Sequence, residues 1–213
     1  MTTSKRALRA PPVILASASP RRREILRGLG LRFRVEPSRE VEPARNAGEP
    51  VERYALRLAR LKARSVARRH ASALVIGADT IVSLGGRLLG KPAGEAEARS
   101  MLRSLSGRWH EVLTGICLLD LGSGRQASAA ARSRVHFRRL GAREIEWYLG
   151  TGEYRDKAGA YAIQGRAALF IDRIEGCYFN IVGFPVSTFE RLCRRLGFPL
   201  LLSRSIAPAA LVR

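Results

Sequence analysis

The sequence predicts an α/β or α+β fold built on a mixed sheet. Short apolar segments typical of strands alternate with helical stripes, but without a regular strand–helix–strand repeat. Neither GxGxxG nor GxxxxGK[ST] occurs, which argues against a doubly wound dinucleotide-binding or P-loop fold. With 213 residues, 46% of them hydrophobic, the chain is long and apolar enough to form its own core.

The predicted elements begin with a strand at 13–17 and a helix at 22–29. Ser19-Pro20 supplies the helix start, and Gly30 its end. A proline- and glutamate-rich loop at 37–50 precedes a helix at 51–70 with a regular apolar stripe. The further predicted strands are 74–76, 81–84, 112–119, 133–137 and 169–174, with an interruption at 77–80. The further predicted helices are 95–105, 142–149 and 188–196.

The chain is strongly basic, with a formal net charge of +20. Arginine occurs 34 times and lysine 4 times, and no block of five like charges exists, which favours a compositional bias over a dedicated binding surface. Such a charge still favours polyanionic partners, either nucleic acid or a small phosphorylated substrate. Aromatic residues are only 7% of the chain, so stacking on nucleic acid bases has little support, and nucleic acid is not expected as the main partner.

Several classes of protein are disfavoured. Three cysteines in a chain of this length argue against a disulfide framework, and no CxxC or HExxH spacing indicates zinc. No apolar run approaches the roughly 18 residues that span a membrane, and Val13–Ala16 is too short for a secretion signal. We therefore expect a cytoplasmic protein with a loose arm at 1–12, one domain at 13–202 and a tail at 203–213.

A candidate anion site lies where the first strand meets the first helix. The free N–H groups of a helix N-terminus attract phosphate. Ser17 and Ser19 add hydroxyl donors, and Arg21 and Arg22 can each bind phosphate oxygens in a bidentate manner. An ordinary serine cap followed by solvated arginines explains the same pattern about equally well.

A second candidate is Asp79, one of only four aspartates, in the segment Gly77-Ala-Asp-Thr80. A carboxylate at this position could hold a divalent cation or activate water, although an Asx-turn is the common alternative. The acidic loop with Glu36, Glu40 and Glu42 could complete a Mg²⁺ site, since Mg²⁺ prefers carboxylates together with substrate oxygens.

The scarce lysines and glutamines form a third set. Lys62 falls on the apolar stripe of its helix, while Lys91 and Lys157 lie in tight loops, and we interpret all three as phosphate contacts. A snorkelling stem is the alternative for Lys62. Gln164 carries an amide that could bind the edge of a base, although a polar residue at a strand end would look the same.

Taken together, these segments resemble the Maf-like nucleotide pyrophosphatase family across about residues 13–197. The matching stretches are LASASPRRREIL, LRLARLKA, GADTIV, GKP, LSGRWHEVLTG, DKAGAYAIQG and IEGCYFNIVGFP. The resemblance implies a twisted mixed sheet with flanking helices and two lobes around a central cleft, similar to the inosine triphosphatases, and commonly a homodimer. It also implies hydrolysis of a nucleoside triphosphate to the monophosphate and pyrophosphate, in a family linked to clearance of modified or surplus nucleotides and to septum formation.

The resemblance also assigns roles. Asp79 matches the general base, Glu42 an acidic residue near a divalent cation, and Lys91 one of the basic residues around the phosphates. From these matches we expect Lys91 to be catalytic and Glu42 and Asp79 to hold the cation, Mg²⁺ with Mn²⁺ or Co²⁺ as alternatives. The implied substrate contacts are Ser17, Ser19, Arg21, Arg22, Lys62, Thr80, Lys157 and Gln164. Arg22, Thr80 and Gln164 match the three positions that separate the branches, and here they resemble the dTTP/UTP branch. Tyr154 stands where the family usually has proline.

Several other functions stay open at this point. The pocket could belong to an inosine-triphosphate-type or 7-methyl-GTP pyrophosphatase. The charge could instead serve a nucleic-acid-binding or septation protein that hydrolyses nothing.

Overall fold

Seven strands form one mixed sheet in the computed structural model, which describes residues 11–198 and Leu200. The strands are β1 (Val13–Leu15), β2 (Arg34–Val35), β3 (Leu74–Leu84), β4 (Arg87–Leu89), β5 (Trp109–Asp120), β6 (Arg125–Phe137) and β7 (Ile171–Glu175). Their order is β2-β1-β3-β5-β6-β7, with β4 pairing separately to β3. The pairs β1–β2 and β1–β3 are parallel and the others antiparallel, which confirms the predicted mixed α/β sheet.

Six α-helices accompany this sheet in the described part of the chain. They are α1 (Pro20–Gly28), α2 (Val51–Ala67), α3 (Glu95–Leu105), α4 (Ala142–Gly150), α5 (Tyr178–Val182) and α6 (Val186–Arg195), with 3₁₀ turns at Ala158–Ala160 and Arg166–Phe170. The sequence patterns predicted five of these helices, with ends within about three residues.

The predictions for the strands were less accurate. β3 runs without interruption through 77–80, because β5 pairs with it along its whole length. β6 begins at Arg125, eight residues before the predicted start, because it follows the long β5 partner strand throughout. The short strands β2 and β4 and the short helix α5 were missed, since so few residues show no clear periodicity.

Two glycines let α2 approach the centre of the sheet. A Cβ on Gly77 would lie 2.2 Å from the Ala59 carbonyl oxygen, and a Cβ on Gly115 would lie 2.4 Å from that of Ala55. Ala55 and Ala59 are themselves fully buried. This close contact fixes α2 directly over β3 and β5, and so fixes the side chains that α2 directs toward β3.

One edge of β3 changes partner along its length. Leu74–Ile76 pair with β1 and Val82–Leu84 pair with β4, so that within the described residues Gly77–Ile81 have no strand beside them on this edge. On the opposite edge, β5 pairs with β3 without a break. We call Gly77–Ile81 the open edge of β3. It contains Asp79 and Thr80, and the backbone there is accessible to side chains of other elements.

The apolar core falls into separate clusters. The largest contains side chains from α3, α4 and the 3₁₀ turns, and the next largest contains side chains from β1, α1 and α6. Tyr154, the departure from the family pattern, is buried in the largest cluster. The domain limits stay a prediction, and most of the predicted arm and all of the tail at 203–213 lie outside the described residues. None of the helices in the described ranges has the length and hydrophobicity of a membrane span.

Candidate functional site

The open edge of β3 directs two adjacent side chains to opposite faces of the sheet. Successive residues of a strand alternate between faces, so Asp79 shares the face of Gly77, which α2 covers. The Thr80 hydroxyl lies on the other face, 3.3 Å from the Gly183 carbonyl oxygen and 2.9 Å from the Thr114 hydroxyl. One short segment therefore supplies a carboxylate on one face and a hydroxyl on the other.

Asp79 belongs to a cluster of three charged side chains. Lys62 Nζ lies 2.5 Å from Asp79 Oδ1 and 2.6 Å from Glu42 Oε1. The Asp79 and Lys62 side chains are mostly buried, whereas the Glu42 side chain is half exposed. Lys62 reaches this position because the neighbouring Ala63 packs against Gly77. The predicted lysine, aspartate and glutamate are thus brought together.

The surroundings of Asp79 raise its pKa above the usual value of an aspartate. Burial is the largest cause, because it penalises the charged carboxylate. The positive charges of Lys62 and Arg22 act in the opposite direction without cancelling the effect of burial. A buried carboxylate with a raised pKa is a stronger base than an exposed one, as general-base catalysis requires.

Arg22 is buried and connects the first helix to the open edge. Its Nε donates to the Gly183 carbonyl oxygen, its Nη1 to Ser17 Oγ and the Ala78 carbonyl oxygen, and its Nη2 to Thr80 Oγ1, each at 2.9 Å. A guanidinium has five N–H groups, so four are engaged with the protein. The predicted bidentate phosphate contact of Arg22 stays a prediction. The geometry shows that Arg22 fixes the position of Thr80.

The first turn of α1 lies at the same place. Ser19 is the N-cap residue and Pro20 the first helical residue, but the Ser19 side chain forms no capping hydrogen bond. Ser17 Oγ accepts from Arg22 and from the Ser19 backbone N–H at 3.3 Å, which leaves its own O–H to donate. The first N–H groups of the helix have no partner within the helix, as an anion site needs.

A pocket opens on the Thr80 side of the sheet. Thr80, Gln164 and Arg21 supply polar groups to its lining. The other lining residues are mainly apolar: Val82, Val112, Ala158, Tyr161, Ala162, Ile163, Ile181 and Val182. A pocket with apolar walls and few polar groups is typical of a site for a small organic ring. Thr80 and Gln164 thus line one pocket, while Arg22 lies behind Thr80.

The structure brings Lys91 and Lys157 to neighbouring loops. The Gly159 N–H donates to the Gly90 carbonyl oxygen at 3.0 Å, which joins the loop that contains Lys91 to the loop that contains Lys157. Lys91 is exposed, and Lys157 Nζ donates to the Arg155 carbonyl oxygen at 3.3 Å. The pocket residue Ala158 follows Lys157 directly. Both loops therefore lie beside the pocket, and in the described part of the chain neither lysine forms an ion pair with Asp79.

Two carboxylates could hold a divalent cation. Glu42 and Asp79 both contact Lys62 Nζ, so the two carboxylates lie close together with the ammonium between one oxygen of each. Within the described residues, no group of three or more His, Cys, Asp or Glu side chains forms a metal site. This donor set fits Mg²⁺ only where substrate oxygens and water complete its coordination, as Mg²⁺ sites on phosphates usually do.

Sequence reasoning missed several residues of the site. Thr114 and Asn180 belong to the hydrogen-bonded set around Thr80, because the Thr114 hydroxyl lies 3.2 Å from the Asn180 carbonyl oxygen. Tyr161, Ile181 and Val182 form apolar walls of the pocket. These residues are of common types and show no spacing that points to a site, so the one available signal was their place inside the family-like stretches.

The matching family model and the curated relatives agree on one family. The family model described as "Maf-like protein" matches residues 12–196. A dTTP/UTP pyrophosphatase of Anaeromyxobacter dehalogenans (strain 2CP-C) is 49% identical over 90% of this chain and 97% of its own length. That of Thermococcus gammatolerans is 51% identical over 89% of this chain and 98% of its own. A solved nucleoside-triphosphatase / dITP/XTP pyrophosphatase from Mycobacterium abscessus aligns more weakly, at 18% identity and a TM-score of 0.38, over 62% of this chain and 76% of that one.

Proposed function

The chain belongs to the Maf family, and from this premise we propose that it is a pyrophosphatase of dTTP and UTP. The reaction yields the nucleoside monophosphate and pyrophosphate. One structural observation supports this most strongly: the buried carboxylate of Asp79 and the lining residue Thr80 of the pocket are adjacent on the open edge. A base in the pocket would extend its phosphates across this edge toward Asp79.

In the proposed reaction, Asp79 accepts a proton from a water molecule. The water oxygen bonds to the α-phosphorus, the bond from that phosphorus to the α,β-bridging oxygen breaks, and pyrophosphate leaves with the electron pair. Lys62 holds the Asp79 carboxylate at 2.5 Å. Lys91, Lys157 and the N-terminus of α1 offset the charge that collects on the leaving pyrophosphate.

We propose Mg²⁺ as the cofactor, with Mn²⁺ or Co²⁺ as alternatives. Glu42 and Asp79 would hold it through the carboxylate oxygens that do not contact Lys62, since the two side chains lie close together around that ammonium. When bound, such an ion neutralises phosphate oxygens and draws electron density from the phosphorus.

The proposed preference for pyrimidines rests on the polar groups of the pocket. Uracil and thymine present alternating acceptor and donor groups on one edge, and the Gln164 amide offers one donor and one acceptor to match them. Thr80 lies in the same lining and is fixed by Arg22. The names of the relatives favour this branch over the 7-methyl-GTP and inosine-triphosphate alternatives.

The test is pyrophosphate release from a panel of common and modified nucleoside triphosphates, with and without Mg²⁺. We expect dTTP and UTP to be hydrolysed fastest, and only with the metal. The Asp79→Asn variant keeps the shape of the side chain and should lower kcat on the order of 10²-fold or more. Faster hydrolysis of purine nucleotides, or near-normal turnover by Asp79→Asn, would refute the proposal.

We also propose that the enzyme acts as a homodimer in the cytoplasm. The dimer follows from the family resemblance, and the three free cysteines suit a reducing compartment. Sedimentation equilibrium at micromolar concentration should give twice the mass of the chain, and a monomer there would contradict the dimer. Fractionation of cells should recover the activity with the cytoplasm, and recovery outside it would contradict the location.

A further inference from the structure

The base-facing residue Gln164 sits on a turn, not on a helix or strand. Its side chain is exposed at the pocket, so the backbone of the turn determines where the amide points. The turn closes through a hydrogen bond of 3.1 Å from the Gly165 N–H to the Ala162 carbonyl oxygen, and the Gly165 carbonyl oxygen accepts from the Ala168 N–H at 3.0 Å. Two such backbone bonds still leave an exposed turn able to shift, and recognition of a base requires a fixed amide.

A carboxylate from another loop braces this turn. Glu153 Oε2 accepts from the Arg166 backbone N–H at 2.8 Å, and Glu153 Oε1 accepts from Arg166 Nη1 at 2.9 Å. The Glu153 side chain is only 25% exposed, and charge-assisted hydrogen bonds of this kind are stronger than neutral ones. Glu153 therefore holds Arg166, two positions after Gln164, through both the backbone N–H and the side chain of Arg166.

Gly165 lets Glu153 come this close. A Cβ at position 165 would lie 2.3 Å from Glu153 Oε2 and 3.0 Å from its Cδ. The backbone at Gly165 has φ of −105°, which any residue can adopt, so it is the approach of Glu153 that requires glycine here. The carboxylate is packed directly against the residue that follows Gln164.

The loop that contains Glu153 is itself anchored to the core. The Glu153 N–H donates to Thr151 Oγ1 at 3.2 Å, and the Thr151 hydroxyl donates to the Tyr148 carbonyl oxygen at 2.7 Å. Tyr148 is fully buried. A chain of short contacts thus runs from a fixed residue of α4 to the turn that contains Gln164.

We propose that Glu153 is a positioning residue for base recognition: it fixes the turn at 162–166 so that the Gln164 amide faces the base. This inference rests on the proposed function and adds a residue to it. The Glu153 carboxylate bonds to Arg166, so its action on the substrate passes through Gln164. The loop of Glu153 continues to Lys157, a predicted phosphate contact. The contacts between Glu153 and Arg166 therefore link the turn that contains Gln164 to the loop that contains Lys157.

The test compares kcat/KM for UTP and GTP in Glu153→Ala and Gln164→Ala. We expect Glu153→Ala to raise KM for UTP and to lower the UTP/GTP preference about 10-fold, with a much smaller change in kcat. Glu153→Gln keeps one acceptor oxygen and should restore part of the preference. The control Glu175→Ala breaks a surface ion pair of 2.7 Å with Arg134 and should leave the preference unchanged.

A double-mutant cycle separates positioning from a general loss of structure. Once Gln164 is absent, removal of Glu153 should have little further effect on the preference, so that the double variant resembles Gln164→Ala. Gly165→Ala gives an independent check, because its Cβ displaces the Glu153 carboxylate without removing it, and it should lower the preference in the same direction.

An unchanged UTP/GTP preference in Glu153→Ala, or losses that simply add in the double variant, would overturn the proposal. If Glu153→Ala does not fold, Gly165→Ala decides the question by the same ratio. The wild-type enzyme separates this proposal from the function itself. Failure of the wild type to hydrolyse any nucleoside triphosphate refutes the function, whereas normal hydrolysis with an unaffected Glu153→Ala refutes only the brace.

Discussion

At the scale of single residues, the site depends on the balance of charges around Asp79. Burial raises the pKa of the Asp79 carboxyl, and the ammonium of Lys62, 2.5 Å away, acts against that rise. The carboxylate must be ionised to accept a proton from water. Lys62 therefore limits the rise in the pKa of Asp79 and favours the ionised form of this buried base, in addition to any contact that it makes with phosphate.

This balance predicts a pH effect for Lys62→Met, which keeps most of the side-chain length and removes the charge. Activity is lost as the pH falls through the pKa of Asp79, and without Lys62 that pKa rises, so the acidic limb of the kcat/KM profile should move upward by about 1 pH unit or more. Profiles of kcat/KM against pH measure the shift. Arg60→Met removes a cation from the same helix, where Arg60 bonds to Ser128 Oγ, and should leave the limb in place. If the acidic limb of the kcat/KM profile stays in place in Lys62→Met, the proposed effect of Lys62 on the pKa of Asp79 is contradicted.

At the scale of elements, the contact of α2 with the centre of the sheet positions the site. Asp79 is two residues from Gly77 on the same strand face, and Lys62 precedes Ala63, which packs on Gly77. A helix with larger side chains at this contact would lie farther from β3. The spacing between Lys62 and Asp79 is thus a property of backbone packing, and not only of the two side chains.

Gly77→Ala tests this contact. Its Cβ would come within 2.2 Å of the Ala59 carbonyl oxygen, a backbone atom that cannot rotate away, so α2 must move. Overpacking of this kind costs about 1–3 kcal/mol or more of unfolding free energy, and the displaced Lys62 should lower kcat as well. Thermal unfolding and UTP hydrolysis measure both effects.

The matched control is Gly28→Ala at the end of α1, where a Cβ would meet no atom within 4 Å. Its melting temperature should be unchanged or slightly higher, because alanine favours the helix. Equal stability of the two variants would show that α2 does not depend on the glycine contact.

At the scale of the whole molecule, the chain combines a formal net charge of +20 with a site for a polyanion. Among the described residues, many arginines are paired with glutamates on the surface, such as Arg99 with Glu146 and Arg138 with Glu144. Surface pairs of this kind add little stability. The excess of positive charge should instead raise the local concentration of nucleotide.

The corresponding prediction concerns salt. Raising KCl from about 20 to 500 mM shortens the screening length several-fold, so kcat/KM for UTP should fall several-fold, mainly through KM. Steady-state kinetics at constant pH measures this, with sucrose as the uncharged control. A kcat/KM that stays constant with salt would exclude a role of the net charge in capturing substrate.

The sequence predicted the chemistry of the site better than its construction. Rare residue types marked Asp79, Lys62 and Gln164, because an aspartate, lysine or glutamine stands out in an arginine-rich chain. The segment around Asp79 was predicted as a break between strands, since Gly77 resembles a breaker, yet it is paired throughout by the distant β5. Pairing between residues so far apart leaves no local pattern. Glu153 was missed for the same reason, because its partner Arg166 lies 13 residues away.

The central claim is that one site activates water for attack on the α-phosphorus of a bound nucleotide. Hydrolysis of UTP in ¹⁸O-labelled water, with both products analysed by mass spectrometry, tests it most directly. The account predicts one ¹⁸O atom in UMP and none in pyrophosphate. Label in the pyrophosphate, or formation of UDP and inorganic phosphate, would contradict it.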